Sequence, residues 1–249
     1  MLSLLAGYSI IAFIAVTSIP FYLIALMIWI VTYPFDKRLR LLHLYSCLWS
    51  SFYTWLIPAW RIRVEGRENV RKDATYMVVS NHQSLLDILV VFRLFFHFKW
   101  VSKIENFRLP LIGWNMRLNR YIKLKRGDKA SIETMLKKCE ERIDEGSSIF
   151  MFPEGTRSPD GKVRAFKPGA FQLAKEKKIP ILPVAISGTN AALPKYSFNF
   201  TGIKKMYIKI FEEIPYHAFE NMTVQEAAEM VRALIIEKLK IMDEYTLAK

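Results

Sequence analysis

The run Asn81-His82-Gln83-Ser84-Leu85-Leu86-Asp87 sets an imidazole and a carboxylate within local reach of one another. Histidine changes charge near neutrality, so it can take a proton from a weak acid and return it. A carboxylate on its other ring nitrogen would fix the tautomer and stabilise the imidazolium. Further along, Phe152-Pro153-Glu154-Gly155-Thr156-Arg157-Ser158 offers different chemistry. Gly155 lets backbone amides approach a ligand, Thr156 supplies a hydroxyl donor, and Arg157 supplies a planar fork suited to phosphate. Neither stretch carries an obvious protein nucleophile with its own base. The attacking group therefore belongs to a substrate.

Local elements must position these groups. Residues five apart on a regular helix lie about 140° apart around the axis and would not meet. Ser84 and Asp87, however, form a Ser-x-x-acid pattern ahead of an apolar run, which predicts a helix start near Ser84 with His82 extended outside it. Asp87 then sits in the first turn, where the helix dipole favours its charge. Residues 147–152 read as a short buried strand, preceded by Gly146 and ended by Pro153. Alone, the first motif reads more readily as a capping acid beside a loop histidine, and the second as a β-turn with solvated charges. Both together, in this order, are far more specific.

On those two blocks the chain resembles the glycerolipid acyltransferase family, and NHQSLLD with FPEGTRS looks most like its 1-acylglycerol-3-phosphate (lysophosphatidic acid) branch. A third family block runs from Lys103 through Pro110 and Gly113 to Arg126, and a fourth is matched by Ile181-Leu182-Pro183-Val184. Arg120 stands where the third block often has glycine, and Lys123 and Lys125 make the end of that block unusually basic. The resemblance implies acyl transfer from a thioester, carried by coenzyme A or acyl-carrier protein, to the sn-2 hydroxyl, giving phosphatidic acid for phospholipid biosynthesis. It implies His82 as general base and Asp87 as its orienting group. It also implies an acceptor phosphate held by Lys103, Arg126 and Arg157 beside Gly155 and Thr156, with Glu154 on the glycerol hydroxyl. No metal and no cofactor are required. Acylation of another lysophospholipid, and non-catalytic lipid binding by a membrane-anchored protein, are the alternatives; a pure binder has no need of a base.

Four histidines and two cysteines, Cys47 and Cys139, fall at no zinc-ligand spacing. Thirty-six basic against 23 acidic residues leave a net charge of +13. Lys99, Lys103, Arg108, Arg117, Arg120, Lys123, Lys125, Arg126 and Lys129 crowd one window, which suits anionic lipid, phosphorylated substrate or an acidic carrier protein. No nucleic-acid motif is present, and nucleic acid is not expected as a partner.

Met1 to Phe35 carries no charged side chain, a length that makes it a membrane candidate without the basic start of a secretory signal. Pro20 divides it, as one kinked span or a helix that turns back. A second apolar run, Leu41 to Trp60, is rich in Tyr, Trp and Ser, which suits an interfacial helix. The expected organisation is a two-helix membrane-anchoring segment, 1–60, and an acyltransferase domain, 61–249, on the cytoplasmic face of a membrane (the inner membrane if the source is bacterial). Strands are expected at Val64, 75–80, Ile181 to Ser187 and 206–211, and helices over Ile132 to Ile143, 168–178 and 223–242. The site residues thus follow strands, as ligand sites do in open α/β sheets. The fold class is α/β, and the resemblance implies a mixed sheet flanked by helices.

Overall fold

The computed structural model describes residues 2–158, 160–194 and 203–247. In chain order the elements are α1 (Leu2–Thr32), α2 (Arg40–Trp55), β1 (Trp60–Glu65), β2 (Met77–Ser80), α3 (Leu86–Phe92), β3 (Phe98–Lys103), α4 (Ile112–Leu118) and β4 (Ile122–Leu124). There follow α5 (Lys129–Asp144), β5 (Ser148–Met151), α6 (Gly169–Glu176), β6 (Ile181–Ser187), α7 (Thr189–Ala192), β7 (Lys204–Ile210) and α8 (Val224–Leu247). Among the described residues the strands form one seven-stranded sheet in the order β1-β7-β6-β2-β5-β3-β4. All neighbours are parallel except β6 and β7. This is the mixed sheet expected.

Helices cover both faces, which is why the central strands read as near-continuous apolar runs. Val78, Phe150, Leu182 and Ile186 point to one face and pack with residues of α2 and α3 such as Cys47, Val90 and Val91. Met77, Val79, Ile149 and Ala185 point to the other, against Met135 and Cys139 of α5, Phe171 of α6 and Val231 and Ile235 of α8. The two cysteines are free and buried, one in each layer.

The helical hairpin resolves two points about the anchoring segment. First, of the two courses open at Pro20, α1 takes the single span, running unbroken through the proline without turning back. Its segment Ala12–Thr32 has mean hydropathy 2.3 with only 11% buried, too exposed for a soluble core helix. Second, it is the one helix among the described residues long and apolar enough to cross a membrane, so there is one candidate span and not two. Helix α2 buries His43, Ser46, Cys47, Ser50 and Ser51 and packs on α3. Its exposed apolar positions, Leu41, Leu48 and Trp55, recur every seventh residue along one stripe, the mark of an amphipathic helix. Phe21 of α1 stacks on Trp49 of α2 at 5.6 Å, and Tyr53 Oη hydrogen-bonds the hydroxyls of Thr17 and Ser18.

The basic window is also divided. Lys99 is only 1% exposed; its ammonium donates to the carbonyls of Arg38, in the α1–α2 turn, and Asn119, after α4, at 2.8 and 2.9 Å. It fastens the hairpin to the sheet and does not face lipid. Arg120 takes a left-handed φ of 54°, the conformation that makes glycine the usual occupant of such a position. Its guanidinium lies over Tyr33, 5.4 Å from the ring centroid.

Candidate active site

Three adjacent parallel strands, β6, β2 and β5, end on the same edge of the sheet and deliver the first motif from β2 and the second from β5. His82 leaves the end of β2 in extended chain, as expected, and Asp87 lies in the first turn of α3. Helix α3 is assigned from Leu86, yet the capping contacts belong to Ser84. Its hydroxyl accepts from Leu86 N–H at 3.2 Å, while the Asp87 carboxylate reaches back to Ser84 N–H at 2.9 Å. That pair is a variant of the capping box, with the Ser84 hydroxyl on the second helical amide in place of the third. It curls the chain so that Asp87 Oδ2 meets His82 Nδ1 at 2.8 Å. The same oxygen accepts from Gln83 N–H at 2.7 Å, and Oδ1 accepts from Thr189 Oγ1 at 2.5 Å.

The tautomer follows from these contacts. Oδ2 of an ionised carboxylate only accepts, so Nδ1 of neutral His82 carries the proton and Nε2 holds the lone pair. Nε2 has no hydrogen-bond partner among the described residues. The ring stacks on Phe152, centroids 4.0 Å apart and planes 12° from parallel, which leaves it little freedom to tilt. His82 is 7% exposed and Asp87 fully buried. This is a base with a fixed orientation.

The second motif grips the first through the backbone. Glu154 Oε1 accepts from His82 N–H at 2.7 Å, and Ser158 N–H donates to His82 O at 2.8 Å. Glu154 Oε2 accepts from Arg164 N–H at 3.1 Å. Both oxygens of this buried carboxylate thus serve the protein's own amides, each with a second lone pair beyond that bond. Burial pushes the Glu154 carboxyl up to about 7, against the pull of those two amides. Gly155 adopts φ 71° and its N–H closes a turn on Phe152 O at 3.0 Å. The amides of Gly155 and Ser158 therefore shape the loop and do not face a ligand.

The cations expected to take the phosphate are distributed unevenly. Arg126 is held below the usual arginine range, first by partial burial and then by the positive charge of Arg157, with Glu105 opposing. The fold thus brings Arg126 and Arg157, 31 positions apart in sequence, within electrostatic reach. Two guanidiniums this close raise the local positive potential. Lys103 is exposed and pairs with Glu105 at 3.2 Å; Thr156 is half-buried beside Arg157.

Sequence reasoning missed the contribution of β6. Asn81 places its amide on both backbone groups of Ile186, donating at 2.8 Å and accepting at 2.9 Å. Gln83 Nε2 donates to Ile186 O at 2.5 Å and Ser84 Oγ to Leu193 O at 2.7 Å. With Thr189 these contacts make residues 186–193 a platform under the His82 loop. The available signal was Ser187-Gly188-Thr189 at the end of a strand whose bounds, Ile181–Ser187, the sequence did show. Among the described residues no group of three or more His, Cys, Asp or Glu could hold a metal ion.

The acyltransferase family model matches residues 61–187, from β1 to the end of β6. The chloroplastic 1-acyl-sn-glycerol-3-phosphate acyltransferase of Arabidopsis thaliana is 39% identical over 179 residues, covering 70% of this chain and 49% of that protein. The 1-acyl-sn-glycerol-3-phosphate acyltransferase of Saccharomyces cerevisiae is 35% identical over 187 residues, 72% of this chain and 60% of the relative. A crystal structure of the 1-acyl-sn-glycerophosphate acyltransferase PlsC from Thermotoga maritima superposes with TM-score 0.78 at 28% identity, covering 96% of both chains. The chain belongs to the acyltransferase family. It spans about half the length of the plant relative.

Proposed function

We propose that the protein transfers an acyl group from a thioester to the sn-2 hydroxyl of 1-acylglycerol-3-phosphate, giving phosphatidic acid. The observation that carries this reading is the His82–Asp87 pair, with Nδ1 fixed on the carboxylate at 2.8 Å and no protein hydroxyl or thiol bonded to Nε2 among the described residues. A histidine held this way is a base waiting for a substrate's proton.

Nε2 takes the proton of the acceptor hydroxyl as its oxygen attacks the thioester carbonyl carbon. Asp87 stabilises the imidazolium that forms. The tetrahedral intermediate collapses by breaking the carbon–sulfur bond, and the imidazolium returns its proton to the departing thiolate. The products are the new ester and a free thiol, and His82 is regenerated. Arg157 and Arg126 supply the charge for the acceptor phosphate, and Thr156 a neutral donor beside it. Lys103 must release Glu105 to join them. This reading sets the chemistry at the cytoplasmic surface of a membrane, where acceptor and product both reside, and the long, exposed apolar helix α1 supports the membrane association.

Purified protein given acyl-coenzyme A or acyl-carrier protein, with a panel of lysophospholipids, tests the reading. Turnover confined to lysophosphatidic acid supports it. Preference for a lysolipid with a headgroup beyond the phosphate replaces the acceptor, and absence of turnover with every pair leaves lipid binding as the function.

A further inference from the structure

The Asp87 carboxylate is fully buried, and among the described residues no lysine or arginine pairs with it; its ion partner is His82. Its charge is held instead by hydrogen bonds. Three arrive on Oδ2 from within the loop: His82 Nδ1, Gln83 N–H and Ser84 N–H. The fourth, from Thr189 Oγ1, arrives on Oδ1 from a different part of the chain, 102 residues away. An sp² carboxylate gripped on one oxygen alone can still swing about its Cβ–Cγ bond, because terminal torsions of this kind are broad. A donor on the second oxygen removes that freedom.

The fold holds Thr189 itself firmly. Gly188 before it takes φ 81°, and a Cβ there would lie 2.2 Å from the carbonyl oxygen of Lys205 on β7. The turn out of β6 is thus pressed against the neighbouring strand, and Thr189 follows with no exposed surface. Ser84 Oγ on Leu193 O ties the far end of the same segment to the His82 loop.

We propose that Thr189 is a positioning residue for the acyl transfer. Its hydroxyl donates to Asp87 Oδ1 and locks the carboxylate plane that presents Oδ2 to the imidazole. The inference rests on His82 being the base, and the experiment separates the two ideas. Thr189→Val keeps the shape and removes the donor; Thr189→Ser keeps the donor; His82→Ala reports on the base. All are assayed as the full chain in detergent micelles, with kcat, both KM values and the pH profile of kcat/KM. A hydrogen bond to a charged group is worth enough for kcat to fall about 10- to 100-fold in Thr189→Val. Both KM values should stay, because Thr189 reaches no substrate. The acid limb of the profile should move to higher pH, since a carboxylate short of one donor holds the imidazolium proton more firmly. Thr189→Ser should stay within a few-fold of wild type. Wild-type kcat and profile in Thr189→Val overturn the proposal, as do equal losses in the Val and Ser variants, which would mean packing alone. If Thr189→Val does not fold, Thr189→Cys, a weak donor of similar size, decides: an intermediate kcat with a displaced profile supports, and wild-type values overturn. Activity surviving in His82→Ala would remove the base reading itself; its loss there beside an unaltered Thr189→Val removes only the role of Thr189.

Discussion

At the scale of single residues the site is a buried dyad whose reach into solvent is one lone pair, on Nε2 of His82. His82→Ala should therefore abolish turnover while the protein still folds and binds membranes. Asp87→Asn should lower kcat by about three to four orders of magnitude, the loss seen when a carboxamide sets the wrong tautomer. Substantial activity in His82→Ala would sink the mechanism. Arg157 acts on the acceptor: Arg157→Ala should raise the KM for lysophosphatidic acid about tenfold or more, the worth of a charge-assisted bond. Arg157→Lys should recover only part, because the fork is lost. A rise in the acyl-donor KM instead would move this arginine to the other substrate. The His82–Asp87 pairing was legible at this scale because both residues lie in one contiguous motif, and a Ser-x-x-acid helix start is a local pattern. Glu154 and Thr189 were not. Whether a carboxylate faces a ligand or two backbone amides depends on loops meeting in space, and a threonine 102 positions from its partner leaves no periodic trace.

At the scale of elements, β6, the span of α5 and the start of α8 were readable because burial on both faces or on one helical stripe leaves a strong period. Strands β3 and β4 were obscured: Phe98-Lys99-Trp100 and Ile122-Lys123-Leu124 carry lysines within them, and charge in a strand reads as loop. Lys99 is satisfied by two carbonyls, which only the tertiary fold supplies. Beside it, α2 docks through His43, whose Nε2 donates to Phe96 O at 3.0 Å while Nδ1 accepts from Tyr121 Oη at 2.8 Å. Burial, then the charge of Lys99, holds this imidazole down at about 3. Burial, then His43 and nearby cations, pushes His97 down too. Both folded values lie below the unfolded value of 6.5. As pH falls below that value, the unfolded chain therefore takes up protons the native chain refuses, and stability falls. Urea midpoints should drop between pH 7.5 and 5.5, and a double His43→Gln, His97→Gln variant should flatten the slope by up to about two protons. An unchanged slope in that variant would mean the acid sensitivity arises elsewhere.

At the scale of the whole molecule, the hairpin and the catalytic sheet are less separable than a boundary at residue 60 suggests. Cys47 and Trp60 belong to the apolar layer beneath β2 and β5, and Ser46 accepts from Asn115 and Asn119 around α4. Removing 1–60 would strip one face of the sheet and the first residue of β1, so the product should fail to fold and would say nothing about membranes. Removing 2–32 is the cleaner cut. It deletes the one long apolar helix and leaves α2 docked, at the expense of exposing Trp49 and Tyr53 where Phe21 now covers them. The shortened protein should float away from vesicles in a density gradient or bind only weakly through the Leu41, Leu48 and Trp55 stripe and its basic surface, in a salt-sensitive manner. It should also lose activity on bilayer substrate while keeping activity on lysophosphatidic acid dispersed in detergent, since the groups that hold the dyad (Gln83, Ser84, Phe152, Glu154 and Thr189) lie outside α1. Tight, salt-resistant membrane binding by this variant would show that α2 and the basic face anchor the protein, and that the apolar length of α1 serves another purpose.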